Sequence, residues 1–164
     1  MGSIELSLWR GYDPSLPHTQ APNFDPLAGE GVRHVSGRWN TVAPNRNLVY
    51  ASEHPALALC ELLAHDDALE NVVLIEFRIR APGMESIDPA SVRHFLASGN
   101  TAATQRLGDD WYEKGSFPLL KVPSALLPFT RNYLIKPRHP EVTLQLLRRE
   151  SVAVDERLRC VKTS

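Results

Sequence analysis

Cysteine is scarce in this sequence. Cys60 and Cys160 are the two cysteines among 164 residues, and they form no CxxC pair. Neither a disulfide framework nor a cysteine zinc site is therefore indicated. No apolar run reaches the roughly 20 residues that a membrane-spanning helix needs, and residues 1–5 lack the basic and then apolar order of a secretory signal. We therefore expect a cytoplasmic protein with reduced thiols and no membrane contact.

The sequence also has little net charge. Its 18 Lys and Arg residues against 19 Asp and Glu residues leave a formal charge of −1, which gives no electrostatic case for nucleic-acid binding. The hydrophobic fraction of 43% is ordinary for a globular protein. Because the chain is long enough for a full core and shows no internal repeat or linker, we expect residues 1–164 to form a single domain.

Several familiar site motifs are missing as well. There is no GxGxxG, P-loop or HExxH sequence, so neither a phosphate-cradling loop nor a zinc-binding helix is indicated. His54 and His65 match no zinc-ligand spacing, and Ser124 does not lie in a nucleophile elbow. We therefore expect no metal ion at the functional site.

The hydrophobic pattern predicts strands mixed with helices. Residues 13–31 contain four prolines and two glycines, and we expect a long loop there, ordered by Phe24 and Leu27. The predicted strands span residues 4–10, 48–51, 72–80, 119–122, 132–136, 142–147 and 152–155, and the predicted helices span residues 56–64, 89–97 and 101–114. Because strands and helices do not alternate regularly, the pattern predicts an α+β fold rather than a doubly wound sheet.

One acidic residue interrupts the first predicted helix. Residues 56–64 are apolar or cysteine except for Glu61, and Ser52 is a candidate N-cap before this helix. A carboxylate in the middle of an apolar helix is costly to bury without a partner. Glu61 is therefore a candidate functional residue, with a structural ion pair to Arg38 as the competing interpretation.

Four polar side chains lie beside apolar structure and suit one kind of ligand: Arg10, Arg38, Tyr50 and Glu61. Arginine forks match phosphate oxygens, and a tyrosine face can stack on a flat ring. A glutamate can stabilise a developing oxocarbenium ion, as in glycoside cleavage. Cleavage of the nicotinamide–ribose bond of NAD is chemistry of this type. The competing interpretations are a surface position for Arg10, a cation–π contact with Trp39 for Arg38, and a core position for Tyr50.

Several separate motifs resemble the RES domain family. The sequences GRWN, VYAS and ALALCELL are followed by LGDDWYEKGSFPLLKVPSALLP and NYLIKPRHPE, and together with Trp9-Arg10 they span nearly the whole chain. The resemblance implies a compact α+β fold similar to the diphtheria-toxin-like ADP-ribosyltransferases. It also implies a toxin of a bacterial toxin–antitoxin pair, an NAD-consuming activity, and an Xre-type antitoxin that blocks the pocket.

The resemblance also implies roles for individual residues. Arg10 and Arg38 would contact the phosphates and ribose, and Tyr50 would lie against the nicotinamide. Glu61 would be the catalytic carboxylate, with Ser124 as a lesser, structural contributor.

Two departures from the family pattern bear on this site. Lys136 stands where the family has asparagine, which puts Asn132 and His139 in doubt as site residues. The loop between Arg10 and Arg38 is also long.

The sequence leaves the acceptor of the reaction open. Water as acceptor gives an NAD glycohydrolase that depletes cellular NAD, which is the favoured interpretation. A protein side chain as acceptor gives an ADP-ribosyltransferase with a cellular protein target. A catalytically inactive ligand-binding module is the third interpretation.

Overall fold

The computed structural model describes residues 2–127 and 129–158; Met1 and Cys160 lie outside these ranges. Seven strands of the described residues form one sheet: β1 (Ile4–Tyr12), β2 (Val49–Ser52), β3 (Asn71–Ala81), β4 (Glu85–Ser86), β5 (Leu119–Pro123), β6 (Arg131–Ile135) and β7 (Thr143–Ala153). The helices are α1 (Pro55–His65), α2 (Pro89–Ala97) and α3 (Thr101–Lys114). The strand order is β4-β5-β6-β2-β1-β3-β7, with β4 and β5 parallel and the other neighbours antiparallel.

This arrangement confirms the predicted α+β class, with local differences. The two strands predicted at residues 142–147 and 152–155 fall mostly on the single strand β7, which ends at Ala153, before Val154 and Asp155. That strand lies at the sheet edge and is exposed on both faces along most of its length, so its sequence carries no alternation to follow. The N-cap of α1 is His54 rather than Ser52, because His54 Nδ1 accepts a hydrogen bond from the Ala56 N–H at 3.1 Å.

One face of the sheet carries the largest apolar cluster. Its buried members include Leu8, Val49, Ile75, Phe77 and Ile135. The loop of residues 13–31 helps to cover it: Leu27 belongs to the cluster, and the Phe24 ring meets the Tyr12 ring edge-on at 5.1 Å between centroids. The loop is therefore ordered by its two apolar side chains, as predicted.

The helices pack against the opposite face. A Cβ placed on Gly11 of β1 would lie 3.3 Å from Leu62 Cδ2, so α1 sits directly on this strand. Val92 of α2 and Trp111 of α3 join the buried cluster above β5 and β6. No helix of residues 2–127 and 129–158 is long and apolar enough to cross a membrane.

The sheet is weakly joined between β1 and β2. These strands are in register at one position, Trp9 opposite Ser52, whereas β1 and β3 pair at nine positions. The sheet thus has two halves, which we call the β2 half (β4, β5, β6, β2) and the β1 half (β1, β3, β7). The candidate site residues come from both halves: Arg10 lies on β1, Tyr50 on β2 and Asn132 on β6.

Candidate active site

Glu61 is partly buried in the middle of α1 and is held by neutral donors. Its Oε1 accepts hydrogen bonds from Ser124 Oγ at 2.8 Å and from Asn132 Nδ2 at 2.5 Å. Oε2 has no partner among residues 2–127 and 129–158 and is not a buried atom, so it faces solvent. Within the same residues Glu61 forms no ion pair. The ion pair with Arg38 considered from the sequence is therefore wrong.

Ser124 is fully buried just after β5, and its hydroxyl has a fixed direction. Ser124 Oγ accepts hydrogen bonds from the backbone N–H groups of Leu126 at 3.1 Å and Leu127 at 3.3 Å. Because these donors occupy the oxygen lone pairs, the O–H is left to point at Glu61. Ser124 is thus both a turn residue and a direct contact of the carboxylate.

Asn132 of β6, which the sequence put in doubt, contacts Glu61 directly. It lies on the helix-bearing face of the sheet, two residues before the buried Leu134, and its Oδ1 accepts a hydrogen bond from Ser52 Oγ at 2.7 Å. The sequence signal that could have identified Asn132 is a polar residue at an inward-facing position of a strand.

His139, the other residue in doubt, and Lys136, the departure from the family pattern, make no hydrogen bond to Glu61 within the described ranges. His139 accepts a hydrogen bond from the Glu141 N–H within its own turn at 3.2 Å. Lys136 Nζ donates to the Trp111 carbonyl at 3.2 Å and stands 4.7 Å from that indole ring.

Arg10 reaches from β1 across to the backbone of β2. Its Nη1 donates to the Tyr50 carbonyl of β2 at 3.0 Å, where the β1–β2 ladder does not continue. Burial lowers the pKa of the Arg10 guanidinium from its ordinary value. Arg10 Nε is buried and has no hydrogen-bond partner among the described residues, so part of its donor capacity is unused.

Arg38 has a guanidinium without protein partners. Its Nη1 is buried and unpartnered, and within residues 2–127 and 129–158 the side chain makes neither an ion pair nor a cation–π contact. The structure does not bring Arg10 or Arg38 into hydrogen-bond contact with Glu61. Each of the two guanidinium groups has a buried nitrogen without a hydrogen-bond partner among the described residues.

The Tyr50 hydroxyl forms hydrogen bonds with the turn of residues 37–40, which we call the GRWN turn. It accepts a hydrogen bond from the Trp39 N–H at 3.1 Å and donates to Asn40 Oδ1 at 2.7 Å. Burial raises the pKa of Tyr50 above its ordinary value, while the Trp39 hydrogen bond and the nearby Arg38 charge act in the opposite direction. A Cβ on Gly37 would lie 2.6 Å from this hydroxyl, so glycine permits the contact. Tyr50 is half-buried and packs against the cluster that contains Trp39 and Trp111.

Helix α3 holds the backbone that carries Arg38. Thr104 Oγ1 donates to the Arg38 carbonyl at 2.6 Å, and Gln105 Nε2 donates to the Gly37 carbonyl at 2.8 Å. A Cβ on Gly108 would lie 1.8 Å from the carbonyl oxygen of the residue after Arg38. The turn therefore rests directly on the helix backbone, which sequence reasoning did not detect.

The next turn of α3 fixes the chain beyond the GRWN turn. Asp109 pairs closely with the buried Arg46 and accepts a hydrogen bond from Thr41 Oγ1 at 2.7 Å. Arg46 also reaches Glu113 at 3.3 Å and lies over the Tyr112 ring at 4.8 Å. These contacts are structural. No three His, Cys, Asp or Glu side chains of the described ranges are placed to hold a metal ion.

The fold resembles that of a solved toxin. The crystal structure of the M. tuberculosis MbcT–MbcA toxin–antitoxin complex contains a chain that matches with a TM-score of 0.64 and 17% sequence identity. The match covers 95% of this chain and 87% of that chain. At this identity the likeness concerns the fold.

Sequence relatives identify the family. Toxin Res of Pseudomonas putida is 34% identical over 137 residues, which are 80% of this chain and 92% of the relative. The Prs ADP-ribosylating toxin of Sphingobium sp. (strain YBL2) is 30% identical over 124 residues, which are 71% of this chain and 76% of the relative. The RES domain model matches residues 7–156. The chain therefore belongs to the RES domain family.

Proposed function

We propose that this protein is the toxin of a toxin–antitoxin pair and that it hydrolyses the nicotinamide–ribose bond of NAD. The observation that carries the proposal is the state of Glu61. One carboxylate oxygen is fixed by Ser124 and Asn132, and the other has no hydrogen-bond partner in the part of the chain that the structure describes. A carboxylate that is oriented by neutral donors keeps its negative charge available for a substrate.

The arginines supply the binding side of the proposal. Arg10 and Arg38 both have buried donors without protein partners, and a planar guanidinium fork suits the oxygens of a pyrophosphate. Tyr50 is half-buried rather than fully buried, and its ring is assigned to stacking on the nicotinamide. These roles make Arg10, Arg38 and Tyr50 binding residues, with Glu61 as the catalytic group and Ser124 as its support.

The chemistry requires one carboxylate and no general acid. As the glycosidic bond breaks, its electron pair leaves with the nicotinamide, whose ring nitrogen is positive in NAD and becomes neutral. Positive charge develops on the ribose, where the free oxygen of Glu61 stabilises it. The same oxygen can accept a hydrogen bond from the attacking water. Water then adds to the ribose and loses a proton, which gives ADP-ribose.

The proposal extends to the setting of the protein. The chain would form one RES-like domain with a compact fold similar to that of the diphtheria-toxin-like ADP-ribosyltransferases, and would act in the cytoplasm. An Xre-type antitoxin is the proposed partner. Three exposed apolar side chains lie within five residues after Ser124: Leu126, Leu127 and the 95% exposed Phe129. Because Ser124 contacts Glu61, we assign the partner's contact surface to this segment.

A second candidate function is ADP-ribosylation of a cellular protein. The specific observation in its favour is the Sphingobium relative, which is named a Prs ADP-ribosylating toxin. Both reactions use the same NAD site and differ in the group that approaches the ribose.

Incubation with labelled NAD and cell lysate separates these functions. Free labelled ADP-ribose without a labelled protein band supports the glycohydrolase, and a labelled band supports the transferase. Release of neither product, with NAD still bound, would identify an inactive binding module and contradict the proposal. The Glu61→Gln variant is the control, and we expect neither product from it.

A further inference from the structure

Ser52 is a buried polar residue in contact with the support of Glu61. Its side chain is 4% exposed at the end of β2, directly opposite Asn132 in the β2–β6 register. Ser52 Oγ donates to Asn132 Oδ1 at 2.7 Å, and Asn132 Nδ2 donates to Glu61 Oε1 at 2.5 Å. The three side chains therefore form a linear chain of hydrogen bonds that ends on the carboxylate.

We infer that Ser52 is a positioning residue, which acts on Glu61 by fixing the orientation of the Asn132 amide. This inference rests on the proposed function, because it assigns Ser52 to the support of the catalytic carboxylate. An ionised carboxylate only accepts hydrogen bonds, so the amide must present its nitrogen to Glu61 and its oxygen to the opposite side. The carboxylate selects this orientation, and the Ser52 hydroxyl, which donates to the amide oxygen on the opposite side, holds the amide in it.

The need for such a donor follows from the amide itself. The terminal torsion of asparagine is broad and roughly two-fold, so the Asn132 side chain has no strong preference of its own. With the amide reversed, its oxygen would face Glu61 Oε1, and two acceptors would meet. Ser52 is buried, while Asn132 is only partly buried, so the serine is the more rigid end of the chain.

The backbone around Ser52 adds to this rigidity. Ser52 also lies opposite Trp9, at the one position where β1 and β2 are in register. It therefore stands at the junction of the two sheet halves, and its hydroxyl position is set by two neighbouring strands. An amide aligned from this point holds its nitrogen at a fixed place relative to α1.

A double-mutant cycle on NAD cleavage tests the inference. We expect Ser52→Ala to lower kcat by about five- to tenfold, the effect of one hydrogen bond, with KM nearly unchanged. Ser52→Thr keeps a hydroxyl and should restore most of kcat. On an Asn132→Ala background, Ser52→Ala should change kcat less than about twofold, because the residue it acts through is gone. An equal loss on both backgrounds would overturn the inference.

A matched control is available on β1. Ser7 Oγ also donates to a side-chain oxygen at 2.7 Å, that of Glu76, away from the site. Ser7→Ala should therefore leave kcat unchanged, and thermal unfolding should show that all variants are folded.

An NMR readout separates this inference from the proposed function. In Ser52→Ala, but not in Ser7→Ala, we expect the Asn132 side-chain NH₂ resonances to shift and to exchange faster with water. Failure of the wild-type protein to cleave NAD would contradict the proposed function. The Asn132 resonances would still show in that case whether Ser52 orients the amide. Unchanged Asn132 resonances in Ser52→Ala would overturn the inference whatever the activity.

Discussion

The carboxylate of Glu61 and the amide of Asn132 meet at 2.5 Å although 71 residues separate them in the chain. Glu61 lies on α1, which packs against β1 of the β1 half, while Asn132 lies on β6 of the β2 half. Ser124, the second donor, also belongs to the β2 half. The hydrogen bonds to Glu61 thus connect two parts of the sheet that share a single register position.

Replacement of the carboxylate by an amide isolates its charge. We expect Glu61→Gln to lower the rate of NAD cleavage by about 100- to 1,000-fold, since a fixed charge beside the transition state is lost. Stability should change little, because Glu61 has no ion pair among the described residues. Nicotinamide release and thermal unfolding by circular dichroism check the two effects. Unfolding of the variant would show that Glu61 is structural, and the exposed Glu141→Gln is the control.

Loss of the Ser124 hydroxyl affects both stability and rate. Ser124→Ala leaves the Leu126 and Leu127 N–H groups without their acceptor and removes one of two donors to Glu61. We expect unfolding in urea to show a loss of about 1–2 kcal/mol and kcat to fall about tenfold. A variant of wild-type stability would contradict the structural part of this prediction.

Replacement of Arg38 and of Arg46 by alanine should affect the free energy of unfolding very differently. Arg38→Ala removes a guanidinium that has no partner among the described residues, so the free energy of unfolding should change by less than about 0.5 kcal/mol. Arg46→Ala breaks a buried ion pair and should cost about 3 kcal/mol. Titration calorimetry should show weaker NAD binding for Arg38→Ala. Binding of wild-type strength would remove Arg38 from the proposed site.

The contact between α3 and the GRWN turn can be tested with a single methyl group. Gly108→Ala would place a Cβ 1.8 Å from the Trp39 carbonyl oxygen. We expect a loss of about 1–3 kcal/mol by overpacking, together with a raised KM for NAD because Arg38 adjoins this turn. Gly31→Ala, which meets nothing within 4 Å, should leave stability and KM unchanged. Equal behaviour of the two variants would contradict the close approach.

Local chemistry made much of the fold predictable. The predicted helices at residues 89–97 and 101–114 match α2 and α3, which are capped by Asp88 and Asn100. Strand β7 was predicted as two separate strands, because an edge strand exposed along most of its length has no hydrophobic period to carry the prediction through its middle.

The site was predictable only in part. Glu61 could be found because it breaks an apolar helix. The contribution of Asn132 depends on strand pairing and helix placement across 71 residues, which local spacing does not report. The position of Arg38 likewise depends on Gly108, because a residue without a side chain lets the backbone of the GRWN turn approach α3.

The weak junction between β1 and β2 has a consequence for the protein with substrate present. Arg10 and the helix that bears Glu61 belong to one half of the sheet, and the donors to Glu61 belong to the other. A dinucleotide that contacts both halves would hold β1 and β2 together where their own pairing is weak. NAD should therefore protect the amides of β2 from hydrogen exchange and raise the melting temperature, even where the chemistry has been disabled by Glu61→Gln.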